Sequence, residues 1–492
     1  MATVSSLGIG SNLDLTTLLA NIKSGEQAPL VALQKQQTSF TAKLSAYGQL
    51  SSALSALQSA SEALAKPALF AGVKVSSSAS DVLSATAQSS ATGGIYAVNV
   101  TQMSQAQSLA TAGVATSTAK IASSMSTTKV MIDFGTISLG TLDAATGRFT
   151  GAVFAPASTP AATPENSIDI DPSKSSLADI RDAINASATI GVTASIINDG
   201  GLSPNRLVLT SKQTGEASSM RITVTGDTNI AALLANNPAG LPATQLQQTV
   251  AAQNTKLTVN GVAITSTNNS VVGAVQDVTM TVAKVGASTL TVQNDTGSVQ
   301  GAISTFVNAY NSLQSVASKL SAFDADKKSG AVLLGDSVLR NIQIGIRSTL
   351  TNAQADDDSG LTMLSQIGVS FQKDGKLTID STKLTAALGS KLGGVAHLFS
   401  GQTGVGGYGN QLAALITTYT ETDGTLASAT KGINSSLDIL SKRYTATSER
   451  IDATVARYKA QFTQLDLMMS RMTATSTYLT QQFDALNNTS KN

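Results

Sequence analysis

The sequence predicts an α+β protein, with long terminal coiled-coil helices forming a discontinuous helical leg domain and β-rich head domains inserted between them. Three observations carry this. From Ile433 to Leu486 apolar residues recur every 3.5 positions on average, with no proline or glycine in between. The start of the chain repeats the helical spacing. Between about residues 70 and 293 the apolar period falls to two, the period of a strand with one buried face.

At the N-terminus, Ser11-Asn12-Leu13-Asp14 fits the S-x-x-D capping box, in which Ser and Asp satisfy each other's free backbone N–H groups. Leu15, Leu18, Leu19 and Ile22 then share one helix face. Gly25 and Pro29 are expected to end that helix, and Pro29 suits the first position of the next, where its missing N–H costs nothing. The second helix carries Leu33, Phe40, Leu44, Tyr47, Leu50, Leu54, Leu57 and Leu64. It should stop before Pro67, because a residue preceding proline avoids the helical region.

Strand spacing follows. Ile95 and Ala97 lead to a strand end near Val100. Leu257 and Val259, Asn260-Gly261, then Val262 and Ile264 read as a hairpin, since both turn residues tolerate positive φ. Val278, Met280 and Val282 are expected to continue the same sheet, followed by Leu290 and Val292. A smaller unit lies between. Ile168 and Ile170 mark a strand, and Ser176-Leu177-Ala178-Asp179 is a second capping box opening a helix through Ile180 and Ile184. Val192, Ala194 and Ile196, a turn at 198–201, and Leu207 with Leu209 complete it. Segments 113–130 and 141–167, rich in Ser, Thr and Ala, are expected to be loops or loose edges.

After Gly297 the helical period returns. Val299, Phe306, Leu313 and Leu320 recur at seven, interleaved by Ile303, Tyr310 and Ala317. Leu339, Ile342, Ile346 and Leu350 mark another helix, and Ile367 to Ile379 a hairpin about Asp374-Gly375. The helices at 30–65 and 299–320 are expected to pack together. The last helix carries two tracks. One is Leu437, Tyr444, Ile451, Tyr458, Leu465, Met472, Leu479 and Leu486; the other is Ile433, Leu440, Val455, Phe462, Met469 and Phe483. Such a helix would be ~80 Å long at 1.5 Å per residue, several times an ordinary globular helix. A stripe of that length needs another helix beside it.

The expected organisation is four parts: terminal helical segments 1–29 and 455–492, disordered in the monomer; a helical coiled-coil or bundle domain, 30–66 with 294–454; a β-rich head, 67–125 with 250–293; and a second β-rich head, 126–249, with a small βαββ unit. The terminal faces Leu15, Leu18, Leu19 and Ile22, together with the first track of the last helix, are the expected oligomer or filament contacts.

Composition narrows the function. Net charge is +1 and 13% of residues are charged, so no basic field favours nucleic acid. There is no cysteine, which excludes disulfides and thiolate metal sites. No apolar run reaches the ~18 residues of a membrane-spanning helix, and the first thirty residues, with Lys23 their one basic residue, do not resemble a cleaved secretory signal. Chemistry-bearing motifs are thin. Residues 404–409 satisfy G-x-G-x-x-G, but helical spacing at Val395–Phe399 precedes them where a dinucleotide site needs a strand. Asp324-Ala325-Asp326 opens like a calcium loop, yet Lys328 and Ser329 fall where a ligand and the turn glycine belong. Asp356-Asp357-Asp358 reads as a solvated loop, and His397, the one histidine, as a helix residue near the core edge. No catalytic, metal or cofactor site is expected.

The residues from Ser5 to Asp14, the run Ile367-Gly368-Val369 with Lys373-Asp374-Gly375-Lys376-Leu377, Asp380 and Leu384, and the stretch Thr475 to Phe483 together resemble the bacterial flagellar filament-capping (FliD) family. Leu177–Ser211 resembles the small inserted module shared by flagellins and hook-associated proteins. The Lys23-Ser24-Gly25-Glu26 stretch departs from the more continuous helix the family leads one to expect. The resemblance implies a non-enzymatic, cofactor-free protein at the distal tip of the flagellum, exported without a cleaved signal by the type III apparatus with an export chaperone. It also implies a ring-shaped homo-oligomer with helical legs on the filament and β-rich heads above. The implied partners are flagellin and hook-associated proteins and, for some caps, host mucin or glycans, without nucleic-acid binding or membrane insertion. Other readings are a second axial protein, of flagellin or hook-filament junction type, and an extracellular adhesin on a helical stalk.

Overall fold

The computed structural model describes residues 14–157, 166–326, 328–402 and 406–489. Its helices are Leu15–Glu26 (α1), Ala28–Leu64 (α2), Pro67–Phe70 (α3), Leu177–Ala186 (α4), Thr228–Leu234 (α5), Thr296–Ser321 (α6), Ser337–Thr351 (α7), Ser381–Ser390 (α8), Leu392–Ser400 (α9), Tyr408–Thr420 (α10) and Thr425–Thr489 (α11). The chain divides into two compact units, Met1–Phe70 with Thr296–Asn492, and Ala71–Asp295. The class is α+β, with long helices from both chain ends and a β-rich excursion between them.

In the helical unit, α2 packs against α6, α10 and α11. Leu50, Leu54, Leu57 and Leu64 are buried against Val299, Ile303, Phe306 and Tyr310. Rows spaced by three, four and seven put these side chains on facing stripes of the two helices. Aromatic rings lock the interior edge to face: Phe306 to Phe399 at 6.1 Å and Phe399 to Tyr408 at 6.4 Å. Polar clamps hold the smaller pieces. Asp336 caps α7 through the Val338 and Leu339 amides, takes the Tyr47 hydroxyl at 2.8 Å and pairs with the Lys43 ammonium at 2.8 Å. Burial pushes its carboxyl up, but Lys43, the Leu339 amide and Tyr47 outweigh that and hold it below the usual value; burial first, and then Asp336, push the Tyr47 hydroxyl up. Asn311 on α6 accepts from the Leu377 amide and donates to its carbonyl, fastening the hairpin of Val369–Phe371 and Leu377–Ile379 about Gly375.

The N-terminal cap differs from the sequence expectation. Asp14 is the cap of α1, accepting the Thr17 amide at 3.0 Å, while Ser11 lies outside the described residues, as does Ser5 to Leu13 of the opening motif. The helix runs through Lys23 to Glu26, and only Gln27 separates it from α2, with Pro29 in the first turn. Gly25 alone does not break α1, because one glycine costs only about 1 kcal/mol in a helix interior.

The β-rich unit holds two cores. In the first, strands Val73–Ser77, Gly286–Asn294, Gly94–Gln102, Thr255–Val259 and Val262–Ser266 form a sheet in that order, with antiparallel pairing at each step. Asn260 and Gly261 make the predicted hairpin turn at φ 48° and 84°. Val278–Val282 does not continue this sheet. It sits between Ser270–Val275 and Leu83–Ala87 in a separate three-stranded sheet, and Val278, Met280 and Val282 meet Val98, Leu257 and Leu290 in one shared core. Alternation fixes which face of a strand is buried, not which strand lies beside it.

The second core gathers Ile132, Ile180, Ile184, Leu207, Leu209, Met220 and Ile230. The Ser176–Asp179 capping box opens α4 with both reciprocal bonds made, and Val192–Asn198 pairs with Asn205–Ser211. Asp227 caps α5 and also takes amides from Ser123 and Ser124; the Ser124 amide foremost lowers its carboxyl to about 2. Segments 113–130 and 141–167 are not wholly loops. Thr128–Ser138 is an eleven-residue strand, paired with Ser219–Thr225, Val153–Pro156 and Ser167–Ile170, and Thr141–Asp143 pairs with Arg148–Thr150. Asp133 and Gly135 sit inside that strand although both residue types are uncommon there. Asp133 is buried there against Arg221 at 2.7 Å, and Gly135 passes so near the Ala155 carbonyl that a Cβ would collide with it.

Candidate functional site: the terminal helical stripe

The helix α11 spans 65 residues, about 98 Å. The chain itself covers its first part. Gln58 of α2 donates to Thr417 near the end of α10, the helix that leads into α11, at 3.1 Å, and further back along α2 Leu44 to Ser51 lie beside Leu426 to Ser435 of α11. Moving toward the N-terminus of α2 therefore means moving toward the C-terminus of α11, and α1 packs on α11 as well. The cover is antiparallel.

The first track divides along this geometry. Leu437 and Tyr444 are half-buried, Ile451 is 3% exposed and Tyr458 half-buried. Beyond them the same track opens: Leu465, Leu479, Met472 at 61% and Leu486 at 63% are exposed. The second track behaves alike, with Ile433 and Leu440 buried and Phe483 exposed. On α1, Leu15 is buried, Leu19 and Ile22 are half-buried and Leu18 is exposed. The structure thus brings the α1 residues to the covered part of the bundle and leaves the last three or four positions of the α11 track bare.

Leu467, Met468 and Tyr478 are also exposed and belong to neither track. The bare apolar side is therefore broader than a coiled-coil seam. Consecutive apolar residues in Leu465-Asp466-Leu467-Met468-Met469 were the available signal. The polar side of this stretch is self-contained: Thr473, Thr475, Thr477 and Thr480 each donate to the carbonyl one turn back, at 2.9 to 3.0 Å. Between Met472 and Leu486 the one charged residue is Asp484. Neither ion pairs nor intrachain packing can supply much stability to a helix of this kind alone.

The other motifs fall in ordinary local structure. A helix, α9, precedes the glycine-rich run, and Gly407 with φ 74° starts α10; residues 403–405 lie outside the described set. Asp324 accepts the Asp326 amide in a hairpin turn. Asp357 accepts from the Ser359 hydroxyl and amide, and that hydroxyl foremost lowers its carboxyl. His397 is half-buried on α9. Among the described residues no group of three or more His, Asp or Glu could hold a metal, and no helix is long and apolar enough to cross a membrane.

Comparison with known proteins supplies the context. Residues 252–474 match the family model for the flagellar hook-associated protein 2 C-terminus, residues 11–107 that for its N-terminus, and residues 162–213 the flagellin hook IN motif, which covers the module at Leu177–Ser211. Flagellar hook-associated protein 2 of Escherichia coli strain K12 is 40% identical across 98% of this chain and 99% of its own length. The Salmonella typhimurium protein is 38% identical across 99% and 100%. The crystal structure of the D1-D2-D3 domains of the flagellar cap protein FliD from Escherichia coli overlays with a TM-score of 0.60 at 36% identity, covering 79% of this chain and 99% of that one.

Proposed function

The chain belongs to the flagellar hook-associated protein 2 family, and as a flagellar cap protein we propose that it works by self-assembly: several copies close into a ring at the distal filament tip. The bare apolar side of α11 from Leu465 onward carries this reading. Exposed apolar patches of this extent on a soluble protein mark interaction sites, and the intrachain cover ends where the stripe does not. The proposed occupants are helices of neighbouring copies and of the filament beneath, with Leu465, Met472, Leu479 and Leu486 as contacts and, on α1, the exposed Leu18, whereas Leu15 is closed by the chain itself.

The role is structural. Legs formed by both chain ends rest on the filament, and incoming flagellin folds and inserts beneath the cap. Partners are further copies, flagellin, the other hook-associated proteins and, on the way out, the type III export apparatus with a chaperone. A bare helix in water is only marginally stable, so the terminal segments order fully only on contact, and that ordering cost lowers net affinity. Weak legs release and step as each subunit is added. Electron microscopy of the purified protein at high concentration tests this: rings with protruding legs are expected, and monodisperse single chains at every concentration would contradict it.

A further inference from the structure

One cavity inside the β-rich unit holds charge that the fold leaves unanswered. It is about 500 Å³ and is walled by the short hairpin of Thr141–Asp143 and Arg148–Thr150, the segment after Ser108–Ala110, the strand bearing Arg206, helix α5 and the stretch 243–247. Two arginines line it and no acidic residue does. Arg206 is committed: its Nε donates to Asp199 at 2.6 Å and its Nη1 to the Thr111 carbonyl at 3.2 Å. The Arg148 Nε is buried without a hydrogen-bond partner, and its guanidinium makes no ion pair among the described residues. Its cross-strand neighbour is Asp143, the obvious counter-charge. That carboxylate turns back into its own turn instead, accepting the Ala145 amide at 2.9 Å and the Thr146 hydroxyl at 2.8 Å.

A guanidinium with a dry nitrogen and no acceptor is unfavourable unless something else answers it. Its planar fork matches a carboxylate or phosphate. The remaining wall presents the hydroxyl oxygens of Thr111, Thr146 and Thr244, which donate to Ala112, Asp143 and Leu241 and so face a ligand's own hydroxyls as acceptors, and the Gln247 amide, over an alanine-rich floor. Gln245 sets the wall in place, donating to the Phe149 and Gly240 carbonyls at 2.9 and 3.0 Å and accepting the Phe149 amide at 2.7 Å. The volume accommodates a ligand of monosaccharide size. We propose that this cavity binds a small hydroxylated organic anion, with Arg148 as the fork that takes its oxyanion. The inference is independent of the cap assembly, which uses the helical unit.

Titration calorimetry on the full chain tests it with glucuronate, glucose 6-phosphate and neutral glucose as probes. At least one anion is expected to bind saturably, about tenfold or more tighter than glucose, with affinity falling as salt rises. The stronger of the two anions tells carboxylate from phosphate. Arg148→Met should weaken that binding about tenfold or more, while Arg181→Met, on the exposed face of α4, leaves it unchanged. Arg148→Lys keeps the charge without the fork and should fall between; it carries the decision if the methionine variant does not fold. Absence of saturable binding by both anions, or wild-type affinity in the Arg148 variants, overturns the proposal.

Discussion

The two halves of α11 share one apolar period and differ in what lies beside them. From Leu426 to Ile451 the stripe is closed by the chain's own α2 and α1; from Leu465 to Leu486 the same spacing faces outward. A sevenfold repeat specifies that a helix wants a neighbour, not where the neighbour comes from. In the closed half, apolar burial is folding energy. In the open half the same residues stay exposed, and on the proposed reading they serve association.

The largest effects should fall on the closed side. Leu54→Ala, at a fully buried position facing α6 and α10, should destabilise the helical unit by about 2–5 kcal/mol in denaturant titration. Ile451→Ala should cost somewhat less, about 2–4 kcal/mol, because one side of its surroundings lies near the end of the cover. An equally small loss at both positions would erase the difference between the halves.

Acid should also discriminate. The Asp336 carboxyl is held below its ordinary 3.8 by Lys43, the Leu339 amide and Tyr47. A carboxylate lowered on folding contributes stability that is complete above the unfolded value and fades as pH drops below it. Thermal melts should therefore show the clamp of α2 on α7 weakening below about pH 4, and Tyr47→Phe should remove about 1 kcal/mol at neutral pH. A melt unaffected by either change would show that packing alone closes this end.

The smallest effect on the monomer belongs to the open side. Leu479→Ala should change stability by less than about 0.5 kcal/mol, yet reduce assembly in sedimentation. If Leu479→Ala unfolds the isolated chain, the open half is not open.

The sequence made much of this architecture legible. Helix periods expected at 30–65, 299–320 and 433–486 survive as Ala28–Leu64, Thr296–Ser321 and Thr425–Thr489 because long apolar stripes repeat over many turns, and Asn260-Gly261 admits few alternatives to a tight turn. What stayed hidden depended on distant partners. Val278–Val282 has a clear buried face, but its assignment to a second sheet rests on pairing with Leu83–Ala87. Thr128–Ser138 carries Asp133, whose burial becomes tolerable only when Arg221 arrives from 88 residues away. On α11 the tracks were readable and a boundary was expected between 454 and 455; where the cover ends, between Tyr458 and Leu465, depends on how far an antiparallel α1 and α2 reach. The breadth added by Leu467, Met468 and Tyr478 likewise appears only once the opposite side is known to be bare.

Site-resolved amide hydrogen exchange along α11, in dilute single chains and again in the assembled state, addresses the division most directly. Strong protection of residues 425–451 in both states is expected, with residues 465–486 exchanging far faster in the single chain and slowing on assembly. Uniform protection to the end of α11 in the dilute chain, unchanged by assembly, would contradict it.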